Sequence, residues 1–203
     1  GWCPTRIGDG DPDQWGGSLV CHHMLFNADG TIDLKLPDGI DKKFTTLKKT
    51  VLIDKSGKAV KKENSYVLSD VASVSFPRLD KTCKIEATVK ATGDEDVFGF
   101  AFGACDDKTE VYSIRFDLKS KKMIMSKDDL TRGTTPAQTD VTLAVPADKQ
   151  FKVKIVAEKS VCVMYVNDKI AFSNRIDKMP KNPWAIFTDK GTEISFSDIK
   201  VYE

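Results

Sequence analysis

The chain predicts an all-β fold, a two-sheet antiparallel β-sandwich of the jelly-roll, concanavalin A-like kind. Three observations carry that expectation. Residues 151–173 read as three consecutive strands joined by two tight turns. Short apolar–polar alternations bounded by turn residues recur from residue 66 to the C-terminus, about a dozen in all, and no stretch carries a convincing helical period. Phe98, Phe100 and Phe102 alternate with Gly99, Ala101 and Gly103, which describes a strand with one heavy face and one bare face.

Taken in order, residues 1–17 are rich in Gly, Pro and Asp and form a loop or linker with two tryptophans. Residues 18–26 form a short strand. A turn at Asn27–Gly30 leads into a second strand, whose Ile32, Leu34 and Leu36 share a face. Residues 37–64 are Lys-rich and weakly patterned. Phe44, Leu47 and Val51 suit one helical turn or an irregular crossover, and Val51, Leu52 and Ile53 suit a short strand ending in a turn at residues 54–57. The main module is placed at 51–203, with 1–50 as a linker packed on it.

Residues 66–76 and 82–91 follow as strands, the second with Cys83, Ile85, Ala87 and Val89 facing in. The Phe-Gly strand and residues 110–118 come next, with Tyr112, Ile114 and Phe116 opposite Ser113, Arg115 and Asp117. Short strands at 123–125 and 141–145 lead into 151–173. There Phe151, Val153, Ile155 and Ala157 form one buried face, and Val161–Val166 is apolar on both faces, as a doubly covered strand should be. Asn167-Asp168 tolerates the left-handed turn that follows. Residues 184–188 and 193–202 close the chain, and a phase change at Ser197-Asp198 predicts a bulge.

At 203 residues the chain can bury a sizeable core. Its 31 basic and 30 acidic residues read as well mixed and leave a net charge of +1, which gives no electrostatic case for nucleic acid or an anionic membrane. No apolar run approaches the roughly 20 residues of a helical span. A chain that opens Gly-Trp-Cys reads as trimmed, so the missing signal peptide says nothing about localisation. The five cysteines, Cys3, Cys21, Cys83, Cys105 and Cys162, contain no CxxC pair, and Cys83 reads as a buried small hydrophobe.

Three segments resemble the C-terminal β-sandwich of glycoside hydrolase family 32, the fructan hydrolases, in variants of gut Bacteroides-type bacteria. They are VFGFAFGACDDKTEVYSIRFDLKSKKMIM at 97–125, FKVKIVAEKSVCVMYVNDKIAFSNRI at 151–176 and WAIFTDKGTEISFSDIKVYE at 184–203. WGGSLVCHHMLFNADGTIDLKLP at 15–37 resembles the segment that leaves the family's catalytic propeller. The family's enzymes act through an Asp in Trp-Met-Asn-Asp-Pro, an Asp in Arg-Asp-Pro and a Glu in Glu-Cys. None of these motifs occurs here. Asp11-Pro12 lacks the flanking residues, Ser126-Lys127-Asp128 stands where the family often has Asp-Arg-Ser, and His22-His23-Met24-Leu25 stands where it often has Pro-Arg-Glu-Leu. The resemblance therefore implies no catalytic residue in this chain. It implies an upstream propeller as partner, a secreted, periplasmic or cell-surface location, and a module that helps bind or position carbohydrate.

The residues nominate three carbohydrate contacts: Trp15, Tyr112 and Arg115. Trp15 sits in the Gly-rich loop, where its ring suits the C–H face of a sugar, although by resemblance it packs at the propeller junction. Tyr112 and Arg115 belong to the strand flanking the bare Gly face. Arg115 shares the open side with Ser113, and its alternative is an ion pair with a carboxylate such as Asp117. His22 and His23 point to opposite faces of a strand and read as structural. No cofactor is expected. Asp9, Asp11 and Asp13 suggest a calcium loop, but Gln14 and Val20 stand at its sixth and twelfth positions, so a solvated acidic loop is preferred and a structural calcium is the residual. Three functions stay open. They are a non-catalytic accessory module, a free-standing concanavalin-type carbohydrate-binding domain, and a sandwich hydrolase with its own carboxylate pair.

Overall fold

The computed structural model describes residues 2–4, 17–79, 82–103, 111–128, 139–176 and 183–203, with backbone alone at 2–4, 17–18 and 127–128. Trp15, Asp9, Asp11, Asp13 and Cys105 lie outside the described residues, as does the side chain of Cys3. The strands are β1 (Trp2–Pro4), β2 (Gly17–Leu19), β3 (His23–Phe26), β4 (Ile32–Lys35), β5 (Leu47–Lys48), β6 (Asp54–Lys61), β7 (Ser65–Phe76), β8 (Cys83–Ala91) and β9 (Val97–Phe102). They continue as β10 (Val111–Asp117), β11 (Lys122–Asp128), β12 (Thr139–Thr142), β13 (Gln150–Glu158), β14 (Val161–Val166), β15 (Ile170–Arg175), β16 (Trp184–Lys190) and β17 (Ile194–Tyr202). One four-residue helix, α1 (Asp38–Asp41), lies between β4 and β5. No helix among the described residues is long and apolar enough to cross a membrane.

The described strands pair antiparallel throughout, and the long sheet runs β12-β11-β10-β9-β16-β7-β17-β8-β13-β14-β15. It becomes a sandwich because β7 turns from one layer into the other. Its first residues, 65–68, pair with β17, and 72–76 pair with β16. Asp70, at φ +54°, marks the bend, a left-handed conformation that Asp tolerates better than most residues. β6 follows β7 round the corner through a register shift at Gly57/Lys58.

This corrects the reading of residues 51–57. Gly57 does not end a strand; it sits mid-strand at the bulge, φ +67°, where a Cβ would collide with the Val71 carbonyl. The chain reverses later, where the Lys62 amide donates to the Ser65 carbonyl at 2.8 Å. Val51 and Ile53 precede β6 and are exposed, and only Leu52 packs toward the core. The lysines that blurred the pattern lie along an edge strand, where charge discourages pairing with another sheet.

The core lies between the layers. Phe98 from β9 stacks on Phe116 at 5.2 Å and meets Phe151 and Phe196 of the opposite layer at 5.9 and 6.2 Å. All four are fully buried. The turns of the 151–173 meander are as the residues require: Lys159, Asn167 and Asp168 take positive φ, and the last two give the doubly left-handed turn that matches strand twist. The predicted bulge in β17 is present, with a register shift between Ser197 and Lys200 and Asp198 at φ +52°.

β14 is covered on both faces, as its unbroken apolar run predicts. Cys162, Met164 and Val166 face the main core, while Val163 and Tyr165 form a second cluster with Val20 and Leu36 of the N-terminal segment. That segment is tied down further along. Lys84 of β8 is almost fully buried, donates to Asp41 and to Glu86 at 2.8 Å, and lies over the rings of Tyr202 and Phe44 at 4.8 and 5.8 Å. Burial alone would lower its pKa, but the two carboxylates outweigh burial and hold the ammonium above its usual range. Thr46 and Glu203 exchange backbone hydrogen bonds at 3.0 and 2.9 Å beside β5.

Candidate functional site

The strongest candidate surface is the outer face of β10, β9 and β16. Strand alternation sends Phe98, Phe100 and Phe102 into the core and turns Gly99 and Ala101 to the opposite face, where Ala101 is partly exposed and Gly99 is covered. Register then builds two outward rows: Arg115 beside Gly99 beside Phe187, and Ser113 beside Ala101 beside Ala185. Gly99 is more than a bare spot. A Cβ there would collide with the Ile114 carbonyl and lie 3.1 Å from the Arg115 Cα, so the close approach of β10 requires glycine.

Arg115 reaches across Gly99. Its Cζ lies 5.4 Å from the Phe187 ring centroid, its Nε donates to Asp189 Oδ2 at 2.6 Å, and its Nη1 donates to Ser113 Oγ. The acceptor is thus Asp189 rather than Asp117, whose Oδ1 instead accepts from the Ser120 amide at 3.0 Å. The ion pair is held at the surface, with Arg115 17% and Asp189 43% exposed. The result is a small-residue face on which Gly99, Ser113 and Phe187 are themselves covered, with a fixed, largely buried guanidinium and a partly exposed carboxylate at Asp189.

Asp189 also joins this face to a cleft of about 620 Å³ between the β8–β9 and β16–β17 loops. Asp96 holds those loops together from inside. It is 3% exposed and accepts from the Thr92, Gly93 and Thr192 amides at 3.2, 2.7 and 3.1 Å. At the rim, Glu95 bridges Lys190 at 2.7 Å and Lys119 at 2.9 Å, and those two hydrogen-bonded ammonium groups hold its carboxyl down to about 2. Among the described residues no group of three or more His, Cys, Asp or Glu is placed to hold a metal.

Of the three nominated contacts, Arg115 is on this face. Tyr112 is not available there: it points inward beside Ile114 and Phe116 and is 5% exposed, because residue 112 falls on the core phase of β10. Trp15 lies outside the described residues. Sequence reasoning missed Phe187 and Asp189. The signal was present, since Trp184, Ile186 and Thr188 take the inward phase of β16 and leave Ala185, Phe187 and Asp189 outward.

A second cavity, about 520 Å³, lies where the N-terminal segment covers β13 and β14, lined by residues such as Leu36, Phe44, Val163 and Arg175. Beside it His22 bridges Tyr165 and Ser173: Nδ1 is 3.1 Å from the Tyr165 hydroxyl and Nε2 is 3.4 Å from Ser173 Oγ. Burial lowers the His22 pKa and pushes the Tyr165 hydroxyl up to about 12. Cys83 and Cys162 are buried thiols and Cys21 is an exposed one. Burial raises the Cys83 thiol to about 12.

Fold and surface together define a two-sheet antiparallel sandwich of the jelly-roll class with a small-residue, charged outer face. The chain matches the family described as GH32, BT1760-like, C-terminal domain over residues 30–201, and it belongs to that family. Among solved structures it resembles a β-fructofuranosidase of Aspergillus kawachii complexed with glycerol, with a TM-score of 0.62, 13% identity, and coverage of 85% of this chain and 30% of that one. An exo-inulinase from Aspergillus awamori gives a TM-score of 0.60 at 14% identity, covering 96% of this chain and 37% of the enzyme. The carbohydrate-binding module CBM66 from Bacillus subtilis gives 0.61 at 10% identity, covering 79% of this chain and 99% of the module. The chain therefore spans about a third of the enzymes it matches and matches nearly the whole of the module. No curated protein sequence matches it.

Proposed function

We propose that the chain is a non-catalytic accessory module of a fructan-hydrolase-like protein, packing beside an upstream catalytic propeller and presenting the Arg115 face to carbohydrate. The observation that carries the proposal is the coverage contrast: family membership as a C-terminal domain together with a match to 99% of the chain of a carbohydrate-binding module. The face suits the role. Ala101 and Ala185 add little height where a sugar ring would approach, and Asp189, 43% exposed and held in place by Arg115, offers acceptors to hydroxyls. The resemblance to variants of gut Bacteroides-type bacteria is what supports a secreted, periplasmic or cell-surface protein of a glycan-degrading bacterium of that type.

The test uses this chain with inulin and levan oligosaccharides, measured by calorimetry for binding and by reducing-sugar release for turnover. The expected result is binding without hydrolysis, weakened about tenfold or more by Arg115→Ala, a loss of roughly 1.4 kcal/mol. Trp15→Ala tests the remaining nominated contact. Turnover that disappears when one cleft carboxylate is replaced would establish the sandwich hydrolase instead. No binding to any fructan would leave a packing role alone. Calcium at Asp9, Asp11 and Asp13 would register as a Tm that rises with Ca²⁺ and falls with chelator.

A further inference from the structure

The net charge of +1 conceals a strong local segregation. Residues 42–62 carry eight lysines and one carboxylate, Asp54. Two of those lysines, Lys61 and Lys62, meet Lys200 around a cleft of about 420 Å³ that shares no lining residue with the Arg115 face. The cleft forms where two irregularities coincide. The β6–β7 hairpin turns tightly at residues 62–65, and the β17 bulge at Ser197–Lys200 displaces Lys200 beside that turn. Ser197 is paired with Ser65 and Lys61 with Tyr66, so backbone register fixes both sides.

Among the described residues none of the three lysines has a salt-bridge partner, although Lys48 and Lys58 nearby are paired with Glu203 and Asp70. Of the two acids in the lining, Asp198 accepts from Ser197 Oγ at 3.4 Å, and Glu63 leaves the cleft net positive. Thr50 and Asn64 add neutral hydrogen-bonding groups. Tyr66 adds a partly buried ring held edge-on against Phe76 at 5.7 Å. Such a set takes a ligand with negative charge, hydroxyl groups and an apolar C–H face, in a volume that holds one or two sugar rings.

We propose that the Lys61–Lys62–Lys200 cleft is a second binding site, selective for acidic, carboxylate-bearing saccharides. The ammonium groups meet the carboxylates, Thr50 and Asn64 meet hydroxyls, and Tyr66 meets a ring face.

The test is calorimetric titration of the full chain with tetragalacturonate, with a neutral fructo-oligosaccharide and phosphatidylglycerol vesicles in parallel. The expected result is tetragalacturonate binding that weakens at least about tenfold from about 0.05 M to about 0.5 M NaCl. The triple variant Lys61→Gln, Lys62→Gln, Lys200→Gln should lose it to a similar degree while keeping its circular dichroism and its response to the neutral sugar. Arg115→Ala should leave tetragalacturonate binding intact, so failure at the Arg115 face and failure at this cleft are separable. Undetectable tetragalacturonate binding, binding that the triple variant retains, or binding to the vesicles alone would each overturn the assignment.

Discussion

At the scale of single residues, alternation foretells which side a residue takes but not what it meets there. The Phe-Gly alternation of residues 98–103 places the three Phe rings in the core. Phe98 contacts rings from both layers, so Phe98→Ala should cost about 3–5 kcal/mol, read as a shift in urea midpoint. A loss under about 1 kcal/mol would mean that the site collapses around the gap. Arg115 was legible as outward-facing, yet its acceptor was not, because Asp189 lies 74 residues away on a strand that only the fold brings near. His22 shows the same limit, since nothing in the His-His pair announces Tyr165. Its pKa is lowered by burial from 6.5, so the folded chain resists a proton that the unfolded chain accepts. The corresponding stability is complete above that value and declines as pH falls below it. Urea midpoints taken from about pH 7.5 to about pH 5 should fall, and His22→Gln should flatten the slope. An unchanged slope in the variant would remove His22 as the cause.

Among elements, strands with strict alternation and explicit turn residues were readable, and those shaped by an edge or a corner were not. The 151–173 meander and the β17 bulge follow from residues that tolerate positive φ. β6 does not, because its lysine-rich edge hides the period and Gly57 serves a bulge where a turn was expected. The 38–48 segment is likewise set by tertiary partners. α1 is too short to be stable alone and is anchored through Asp41 to Lys84. Replacing Lys84 with Met keeps most of the packing volume but removes the cation that Asp41 and Glu86 share, leaving Asp41 with Lys154 at 3.7 Å. The expected loss is about 1–3 kcal/mol, below a fully buried pair because both carboxylates are 30% exposed. Amide exchange should quicken first at Thr46 and Glu203, whose mutual hydrogen bonds depend on that anchor. Uniform quickening across the sandwich would show instead that the clasp belongs to the global core.

For the whole molecule, the sequence predicted two layers but not how they join, since one strand, β7, belongs to both through a bend at Asp70. Among the described residues two apolar clusters share β14, and they differ in dependence. The main cluster closes on residues from Leu52 onward, whereas the second exists only while Val20 and Leu36 cover Val163 and Tyr165. Removing residues 1–37 should therefore leave the sandwich folded but expose the outer face of β14. The loss is about 3–5 kcal/mol from the uncovered side chains and the His22 bonds. Set against a typical total of about 5–15 kcal/mol, that makes the truncated chain marginal rather than unfolded. Its urea transition should remain cooperative at a lower midpoint, and it should bind a hydrophobic dye that the full chain does not. An unchanged midpoint would mean that the N-terminal segment covers β14 without stabilising it. Failure to fold at all would mean that the second cluster is part of the folding unit, and any protein carrying this module would then need residues 1–37 in place before the sandwich could form.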